Sequence, residues 1–166
     1  GTVDELNSHL GVLSDLVARD LDRALRDKGL GEKISVVQRE LFHLGALLAQ
    51  SEEAAAKDSA FHEQNQRFSK WTLRLESEVD DLSQDLPELR NFVLPGKHIC
   101  NSQAHVCRSV CRRAERKVVK IFESQGKLES VLAYLNRLSD WLFVISRWVL
   151  VQVNQEESLW TADVLE

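Results

Sequence analysis

The sequence has 166 residues, of which 43% are hydrophobic and 28% are charged, and its formal net charge is −5. This length allows a hydrophobic core but is too short for two domains of ordinary size, so we expect a single domain over residues 1–166. The negative net charge argues against a nucleic-acid partner or an anionic membrane surface, except at a local basic patch.

The sequence shows neither a long apolar run nor a disulfide framework. No stretch approaches the roughly 18 uninterrupted apolar residues of a spanning helix, and no signal peptide is visible at the start. Cys100, Cys107 and Cys111 are an odd number of cysteines within about a dozen residues. We therefore expect a reducing compartment and small, buried core cysteines.

Apolar residues recur at intervals of three and four in two segments of the N-terminal half. The first segment predicts a helix from Asp4 to about Lys28, which Gly29 and Gly31 end. The second begins near Ile34 and fades in the stretch from Ser51 to Ser59.

Three further helices are predicted in the C-terminal half. The third runs from about Ala60 to Leu86 and is closed by Pro87. An apolar turn at 92–96 separates it from a fourth helix over roughly 100–124 and a fifth over roughly 127–154. Because no strand-like alternation is visible, the pattern predicts an all-α protein, an up-and-down bundle of five helices.

The densest positive charge lies on the predicted fourth helix. Its basic residues are Arg108, Arg112, Arg113, Arg116, Lys117 and Lys120. Arg108, Arg112 and Glu115 are spaced i, i+4 and i+7 and therefore share one face, beside the apolar stripe. A solvated basic face is one interpretation. The other is an anion site, because arginine donates planar, bidentate hydrogen bonds to polyphosphate oxygens.

The fifth helix offers a polar counterpart to these arginines. Asn136 and Asp140 are also four residues apart and lie among leucines, so they need polar partners. One interpretation is a structural network in which Asp140 pairs with an arginine of the neighbouring helix. The other places this amide and carboxylate in a ligand site, and both can hold together.

Two other features have a structural and a functional interpretation. Asp4 and Glu5 in the first turn of helix one fit the helix dipole, and capping alone explains them. Phe92, next to the bend at Pro95 and Gly96, is more often a plug on the end of a bundle than a ligand contact.

The sequence lacks the motifs of several classes of metal-dependent, hydrolytic and nucleotide-binding proteins. A di-iron bundle requires two Glu-x-x-His motifs, and only Glu40 to His43 fits. His105 with Cys107 and Cys111 lacks a fourth metal ligand, so we predict no metal site. The sequence has no Ser-His-Asp order, Gly-x-Ser-x-Gly elbow or Walker-type loop. The residues alone therefore predict an anion site and nothing more specific.

Four stretches together resemble the PduO-type ATP:cob(I)alamin adenosyltransferases. They are Gly1–Ser8 (GTVDELNS), Phe92–Gly96 (FVLPG), Cys111–Arg116 (CRRAER) and Tyr134–Asp140 (YLNRLSD). Their order and separations match along nearly the whole chain. The wording of Cys107–Arg116 is most similar to the animal, mitochondrial branch of the family.

The resemblance implies a five-helix bundle that forms a homotrimer, with ATP and a corrinoid meeting at each subunit interface. It implies an ATP site lined by Arg112, Arg113, Glu115, Arg116 and Asn136. Arg108 would pair with Asp4 across the interface. Phe92 would press on the corrin face where the lower axial base normally sits, and Asp140 would support the site.

The implied reaction is attack by Co(I) of cob(I)alamin on the 5′-carbon of ATP, which displaces triphosphate. No side chain is then a nucleophile, and Arg112, with Mg²⁺, would stabilise the departing triphosphate. The expected protein partners are a reductase or an adenosylcobalamin-dependent mutase. The mitochondrial matrix is the expected compartment, and the bacterial cytoplasm is the alternative.

The sequence departs from the family pattern at two places. The Thr-Arg-x-Gly-Asp-x-Gly-type loop that wraps the ATP phosphates would precede Gly1 and is absent from the 166 residues, so we expect the chain as given to bind nucleotide poorly or to be inactive. The usual Pro-Gly-Gly is replaced by Pro95-Gly96-Lys97. Two alternative functions remain open, a non-enzymatic corrinoid carrier of the same fold and a helical adaptor or RNA-binding bundle.

Overall fold

The computed structural model describes residues 1–21, 29–49, 58–125 and 129–161. Within these ranges the chain forms five long helices, which confirms the predicted all-α bundle. They are α1 (Thr2–Asp20), α2 (Leu30–Leu48), α3 (Asp58–Ser83), α4 (Ile99–Gln125) and α5 (Glu129–Gln152).

The apolar stripes identified in the sequence face one continuous core. Helix α1 packs against α2 and α4, while α5 packs against α3 and α4. Each helix contributes fully buried side chains on one face, such as Leu6, Leu10 and Leu13 in α1 and Phe68 and Leu75 in α3. Helix α5 is buried on nearly every side between Trp141 and Leu150. It is therefore the central helix of the bundle.

The helix ends differ in part from those predicted. Helix α1 is described to its end at Asp20, and residues 22–28, where the sequence predicted its last turns, lie outside the described residues. Gly29 has a left-handed φ of 73° and precedes α2, as a helix-boundary glycine should. The prediction for Gly31 was wrong, because Gly31 lies inside α2. Residues 50–57, where the second helix was predicted to fade, also lie outside the described residues.

Two short strands were not predicted. Strand β1 (Val93–Leu94) pairs in antiparallel fashion with β2 (Ser158–Leu159). The register aligns Val93 with Leu159 and Leu94 with Ser158. Strands of two residues are too short to produce a recognisable alternation in the sequence. The pairing joins the connector between α3 and α4 to the segment that follows α5.

A buried polar network joins α2, α3 and α5. Glu40 of α2 is only 3% exposed and accepts two hydrogen bonds from the Arg74 guanidinium of α3, at 2.8 and 3.0 Å. It also accepts one from the Tyr134 hydroxyl of α5 at 2.8 Å. Arg74 and the Trp141 indole both donate to Glu78. Nearly every charge in this part of the core thus meets its partner inside the chain.

The three cysteines are fully buried core residues, as predicted. Burial raises the pKa of Cys100 to about 11 and that of Cys107 to about 12. The Cys111 thiol also has a raised pKa because of burial, and it donates to the Leu135 carbonyl oxygen at 3.3 Å. These thiols are protonated packing groups near neutral pH. Among the described helices, none is long and apolar enough to cross a membrane.

Candidate functional site

A stripe of arginines runs along the outer side of α4. Arg108, Arg112 and Arg116 are four residues apart, so their Cα atoms are spaced about 6 Å along the helix axis. Arg112 and Arg116 are exposed, and Arg108 is half-buried. Within residues 1–21, 29–49, 58–125 and 129–161, none of the three forms an ion pair. We call these three residues the arginine stripe.

Arg108 is the most constrained member of the arginine stripe. Its guanidinium lies over the Phe143 ring of α5, with the central carbon 5.3 Å from the ring centroid. Burial and then the neighbouring Arg112 lower the pKa of Arg108, and the Asp140 carboxylate offsets part of this effect. Two cations held side by side repel each other, and a bound anion would relieve that repulsion. The arrangement therefore favours an anionic ligand.

Arg113 contacts α1 rather than joining the stripe. Its guanidinium forms an ion pair with the Glu5 carboxylate in the first turns of α1. Both side chains remain more than 40% exposed. The capping interpretation of Glu5 is thus incomplete, because this residue also ties α1 to α4. The next residues along α4 extend the link, since the Lys117 ammonium donates to the Thr2 hydroxyl at 2.7 Å.

Glu115 and Asn136 meet across α4 and α5. The Asn136 amide donates to a Glu115 carboxylate oxygen at 3.1 Å, and this pair lies at the protein surface. The prediction that the fifth helix presents polar partners to the fourth is correct for this pair. The hydrogen bond leaves acceptor capacity on both side chains, on the Asn136 carbonyl oxygen and on the second carboxylate oxygen.

Asp140 has a different partner from the one predicted. It accepts a hydrogen bond from Arg137, three residues earlier on the same helix, at 3.2 Å. Arg137 in turn donates to Glu76 of α3 at 2.9 Å. The prediction of an ion pair with an arginine of α4 was wrong in that respect, because the local i, i+3 partner on α5 is close enough to pair directly. Asp140 acts on Arg108 without a hydrogen bond, by a Coulombic interaction that raises the pKa of Arg108.

Asp4 has little contact with the rest of the chain. Its side chain is 82% exposed, and its charged neighbour is the amino group of Gly1, 3.7 Å away. Within the described chain, Asp4 and Arg108 do not pair with each other. The fold of a single chain therefore leaves both side chains able to pair with residues of a second subunit.

Phe92 is the most exposed large hydrophobic residue in the described part of the chain, at 79%. The interpretation of Phe92 as a plug on the end of the bundle was therefore wrong. Its ring packs edge-to-face against Trp160, with centroids 6.3 Å apart. Its carbonyl oxygen accepts a hydrogen bond from the Trp160 backbone N–H at 2.8 Å. Two aromatic residues thus stand together at the β1–β2 pair.

Trp160 was not identified from the sequence as a neighbour of the site, and His105 was considered there only as a metal ligand and as a departure from the family pattern near the expected corrinoid. His105 is 7% exposed, stacks edge-to-face on Phe143 at 6.1 Å, and has a buried Nε2 without a hydrogen-bond partner among the described residues. Burial and then Arg108 lower its pKa, while Glu157 raises it. The only available signal was its position one turn before Arg108. Trp160 gave no signal, because its partner is 68 residues away.

The side chains described above supply two kinds of chemistry, anion binding and the packing of a flat apolar ligand. The arginine stripe supplies charge-assisted donors, Glu115 and Asn136 supply acceptors, and Phe92 supplies an exposed aromatic face. Among the described residues, no group of three or more His, Cys, Asp or Glu side chains is arranged to hold a metal ion. The exposed side chains can therefore bind an anion and can pack against a flat apolar ligand.

Known proteins share both the sequence and the fold of this chain. The family model for cobalamin adenosyltransferase matches residues 1–149. A corrinoid adenosyltransferase of Bacillus subtilis is 39% identical over 149 residues, which cover 90% of this chain and 71% of that protein. The corrinoid adenosyltransferase of Mus musculus is 35% identical over 166 residues, covering 96% of this chain and 64% of the mouse protein. The chain thus spans about two thirds of these relatives.

Solved structures agree with the sequence relatives. A variant of the PduO-type corrinoid adenosyltransferase from Lactobacillus reuteri, complexed with ATP, superposes with a TM-score of 0.80 at 29% identity, covering 97% of this chain and 84% of that one. A second variant, complexed with cobalamin and ATP, has a TM-score of 0.79 at 30% identity, over 96% and 82% of the two chains. With the same fold and a family match over nine tenths of its length, this chain belongs to the cobalamin adenosyltransferase family of PduO type.

Proposed function

We propose that this protein transfers the 5′-deoxyadenosyl group of ATP to cob(I)alamin, giving adenosylcobalamin and triphosphate. The observation that carries the proposal is the arginine stripe, three cations at one-turn spacing with no ion-pair partner among the described residues. A chain that binds a polyphosphate needs such cations. The family membership identifies the polyphosphate as that of ATP.

The proposed ATP site is formed by residues of α4 and α5. Arg112 and Arg116 point their guanidinium groups into solvent and would bind the triphosphate. Arg113 would join them by exchanging or sharing its present partner, Glu5. The free acceptors of Glu115 and Asn136 would accept hydrogen bonds from the nucleoside. Mg²⁺ would accompany ATP as part of the substrate.

Phe92 is the proposed corrinoid contact. A ring that is 79% exposed can lie flat against the corrin, at the face where the lower axial base would otherwise bind. Excluding that base keeps the cobalt four-coordinate and hence easier to reduce. The protein needs no nucleophilic side chain of its own, because the reduced cobalt is the nucleophile.

The arginines of the site would act mainly on the leaving group. As the bond from the 5′-carbon to oxygen breaks, negative charge builds up on the triphosphate. Fixed guanidinium groups stabilise this charge more in the transition state than in bound ATP. Arg112 is the residue to which we assign this role. Asp140, through Arg137, would support the geometry of the neighbouring Asn136.

A homotrimer with its sites between subunits completes the proposal. Its support is that Asp4 is 82% exposed and Arg108 has no carboxylate partner within the described chain, so the two can pair between subunits. Sedimentation of the protein with Asp4→Arg, with Arg108→Asp and with both changes tests this pair. Each single change should weaken the trimer and the double change should restore it. If neither single change weakens the trimer, the proposed pair of Asp4 and Arg108 is wrong.

The proposed physiological setting is drawn from the relatives, which include mammalian and bacterial proteins. The mitochondrial matrix is the favoured compartment, with the bacterial cytoplasm as the alternative. A reductase that supplies the reduced corrinoid, or a mutase that receives adenosylcobalamin, is the proposed protein partner.

An anaerobic spectrophotometric assay tests the function directly. Chemically reduced cobalamin, ATP and Mg²⁺ are mixed with this chain and, where the natural protein is longer, with that protein as well. We expect conversion to adenosylcobalamin that depends on ATP. Cobalamin binding without any ATP-dependent conversion, in both proteins, would instead support the non-enzymatic corrinoid carrier.

A further inference from the structure

One turn of α5 holds both segments that carry the exposed aromatic residues. Of its residues 146–148, Arg147 and Trp148 bind these segments directly, and Ser146 binds Asn101 at the start of α4. The Ser146 carbonyl oxygen accepts from the Asn101 amide at 2.8 Å, and the Trp148 indole donates to Asp85 at 3.2 Å. Arg147, between them, donates to the Pro87 carbonyl oxygen at 2.8 Å and to Glu157.

The ion pair of Arg147 and Glu157 is largely shielded from solvent, whereas pairs such as Arg90 with Glu88 lie at the surface. The two side chains are only 8% and 14% exposed, and the guanidinium donates to both carboxylate oxygens, at 2.6 and 3.2 Å. Removing either member would leave the other charge unpaired away from water, which is strongly unfavourable. This pair, which we call the clasp, fixes the segment after α5 to the bundle.

The clasp is connected to Phe92 by a short series of contacts. Glu157 directly precedes β2, and β2 pairs with β1 next to Phe92. Beyond β2, Trp160 donates its backbone N–H to the Phe92 carbonyl oxygen and packs its ring against the Phe92 ring. At the C-terminal end of the segment 92–96, the Gly96 N–H donates to the Asn101 side-chain oxygen at 2.9 Å.

Phe92 has little else to hold it. Its ring is 79% exposed, and two paired strands of two residues each are too short to be stable alone. The contacts that hold the ring are those with Trp160, and Trp160 follows Glu157 of the clasp by three residues. A reacting group that must be held within a fraction of an ångström needs support of this kind.

We propose that Trp160 is a positioning residue for Phe92 and that the ion pair of Arg147 with Glu157 keeps Trp160 in place. The role at the corrin face rests on the proposed function, whereas the mechanical link does not. In this arrangement the segment after α5 sets how firmly Phe92 presses on the corrinoid. Trp160 affects the reaction through Phe92 and not through contact with ATP.

The mechanical link is tested without any ligand, by hydrogen exchange of the residue 160 amide in Glu157→Ala and in Trp160→Ala, using the natural protein at its full length. We expect this amide to exchange about tenfold faster or more in Glu157→Ala, because its hydrogen bond opens more often. The amides of α5 should stay protected. An unchanged rate at residue 160 would overturn the role of the clasp.

The role in the reaction is tested by a double-mutant cycle of Phe92→Ala and Trp160→Ala. We expect Trp160→Ala to lower kcat by about tenfold with the KM for ATP unchanged, and Trp160→Phe to restore most of it. In the Phe92→Ala background, Trp160→Ala should have almost no further effect. Phe42→Ala, which removes an aromatic residue that is 71% exposed on α2, is the control and should leave kcat unchanged.

The outcomes separate the two proposals. If Phe92→Ala is impaired and Trp160→Ala retains the kcat of the parent protein, the positioning role is wrong. Additive effects of the two changes would also overturn it, because they would indicate an independent contact of Trp160 with a reactant. If the parent protein forms no adenosylcobalamin, the proposed function fails, and the exchange rate of residue 160 alone decides the mechanical link.

Discussion

Two charged regions of this protein use arginine in opposite ways. In the network of α2, α3 and α5, Arg74 lies between two carboxylates, Glu40 and Glu78, and the Tyr134 hydroxyl supplies a further donor. In the arginine stripe of α4, the described chain supplies no carboxylate to any of the three guanidinium groups. The charges of the first region are paired within the chain, whereas the guanidinium groups of the arginine stripe have no ion-pair partner among the described residues.

Buried and exposed arginines are subject to different physical requirements. A buried charge must be paired by its own chain, because desolvation makes an unpaired one very unfavourable. Exposed cations have no such requirement, because water solvates them, and they remain able to bind a ligand or a second subunit. Mutations in the first region should therefore change stability and spare the reaction, and mutations in the second should do the reverse.

The largest expected effect is the loss of stability from Glu40→Ala. The change leaves Arg74 and the Tyr134 hydroxyl without their buried acceptor, and we expect the free energy of unfolding to fall by about 3 kcal/mol or more. Denaturant unfolding measures it. As the control, Glu63→Ala removes an exposed carboxylate of α3 that is paired at the surface with Arg67, and it should cost little. Equal losses in the two variants would contradict the distinction.

Arg112→Ala tests the second region. We expect kcat/KM to fall by about a hundredfold, equal to about 2.7 kcal/mol of transition-state stabilisation, because one fixed cation is removed from the developing charge. The free energy of unfolding should stay within about 0.5 kcal/mol of the parent value. Arg39→Ala, at an exposed arginine of α2, is the matched control. A similar kcat/KM for both variants would remove Arg112 from the site.

Tyr134→Phe sharpens the first result with a smaller change. It deletes one donor to Glu40 and leaves both hydrogen bonds from Arg74 in place. We expect a loss of about 1 kcal/mol in the free energy of unfolding, since the core keeps its shape. Thermal unfolding of Tyr134→Phe and Glu40→Ala side by side measures the ratio. A loss as large as that of Glu40→Ala would mean that the hydroxyl, not the ion pair, dominates the network.

The smallest expected effect is the pH dependence contributed by His105. Its pKa in the folded protein is lowered, chiefly by burial and then by Arg108, with Glu157 opposing them. The unfolded chain therefore binds more protons near pH 6, so this residue's contribution to stability is complete above its ordinary pKa of 6.5 and is lost as the pH falls below it.

The measurement is the free energy of unfolding at pH 7.5 and pH 5.5, compared between the parent protein and His105→Gln. The comparison is needed because other groups titrate in the same range. We expect the loss on acidification to be smaller in His105→Gln. An identical loss in both proteins would show that Glu157 and the Phe143 ring accommodate the protonated imidazole without cost.

Local patterns predicted the fold well. The apolar spacing of Leu6, Leu10 and Leu13 continues through each helix and gives the five elements and most of the core. The same spacing placed Arg108 and Arg112 at the border of the core. The cysteines were correctly predicted as packing residues, because their clustering fits neither disulfides nor a metal site.

Partner choices across the bundle were predicted less well. One interpretation paired Asp140 with an arginine of α4, but Asp140 pairs with Arg137. Capping was a sufficient explanation of Glu5, but Glu5 also pairs with Arg113. From its residue type and position, Phe92 was interpreted more readily as a plug on the end of the bundle than as a ligand contact, and it is 79% exposed. These outcomes depend on how far each helix is rotated about its own axis, which the spacing within one helix leaves open.

The sequence by itself determined the number of helices, their buried faces and the concentration of arginine on α4, because these follow from periodicity over three or four residues. Which arginines find an ion-pair partner within the described residues depended on the tertiary structure. It alone brought Trp160 to Phe92 and Glu157 to Arg147, since these contacts join distant or differently oriented segments. Their geometry is set by the packing of whole helices, and packing is a property of the assembled core.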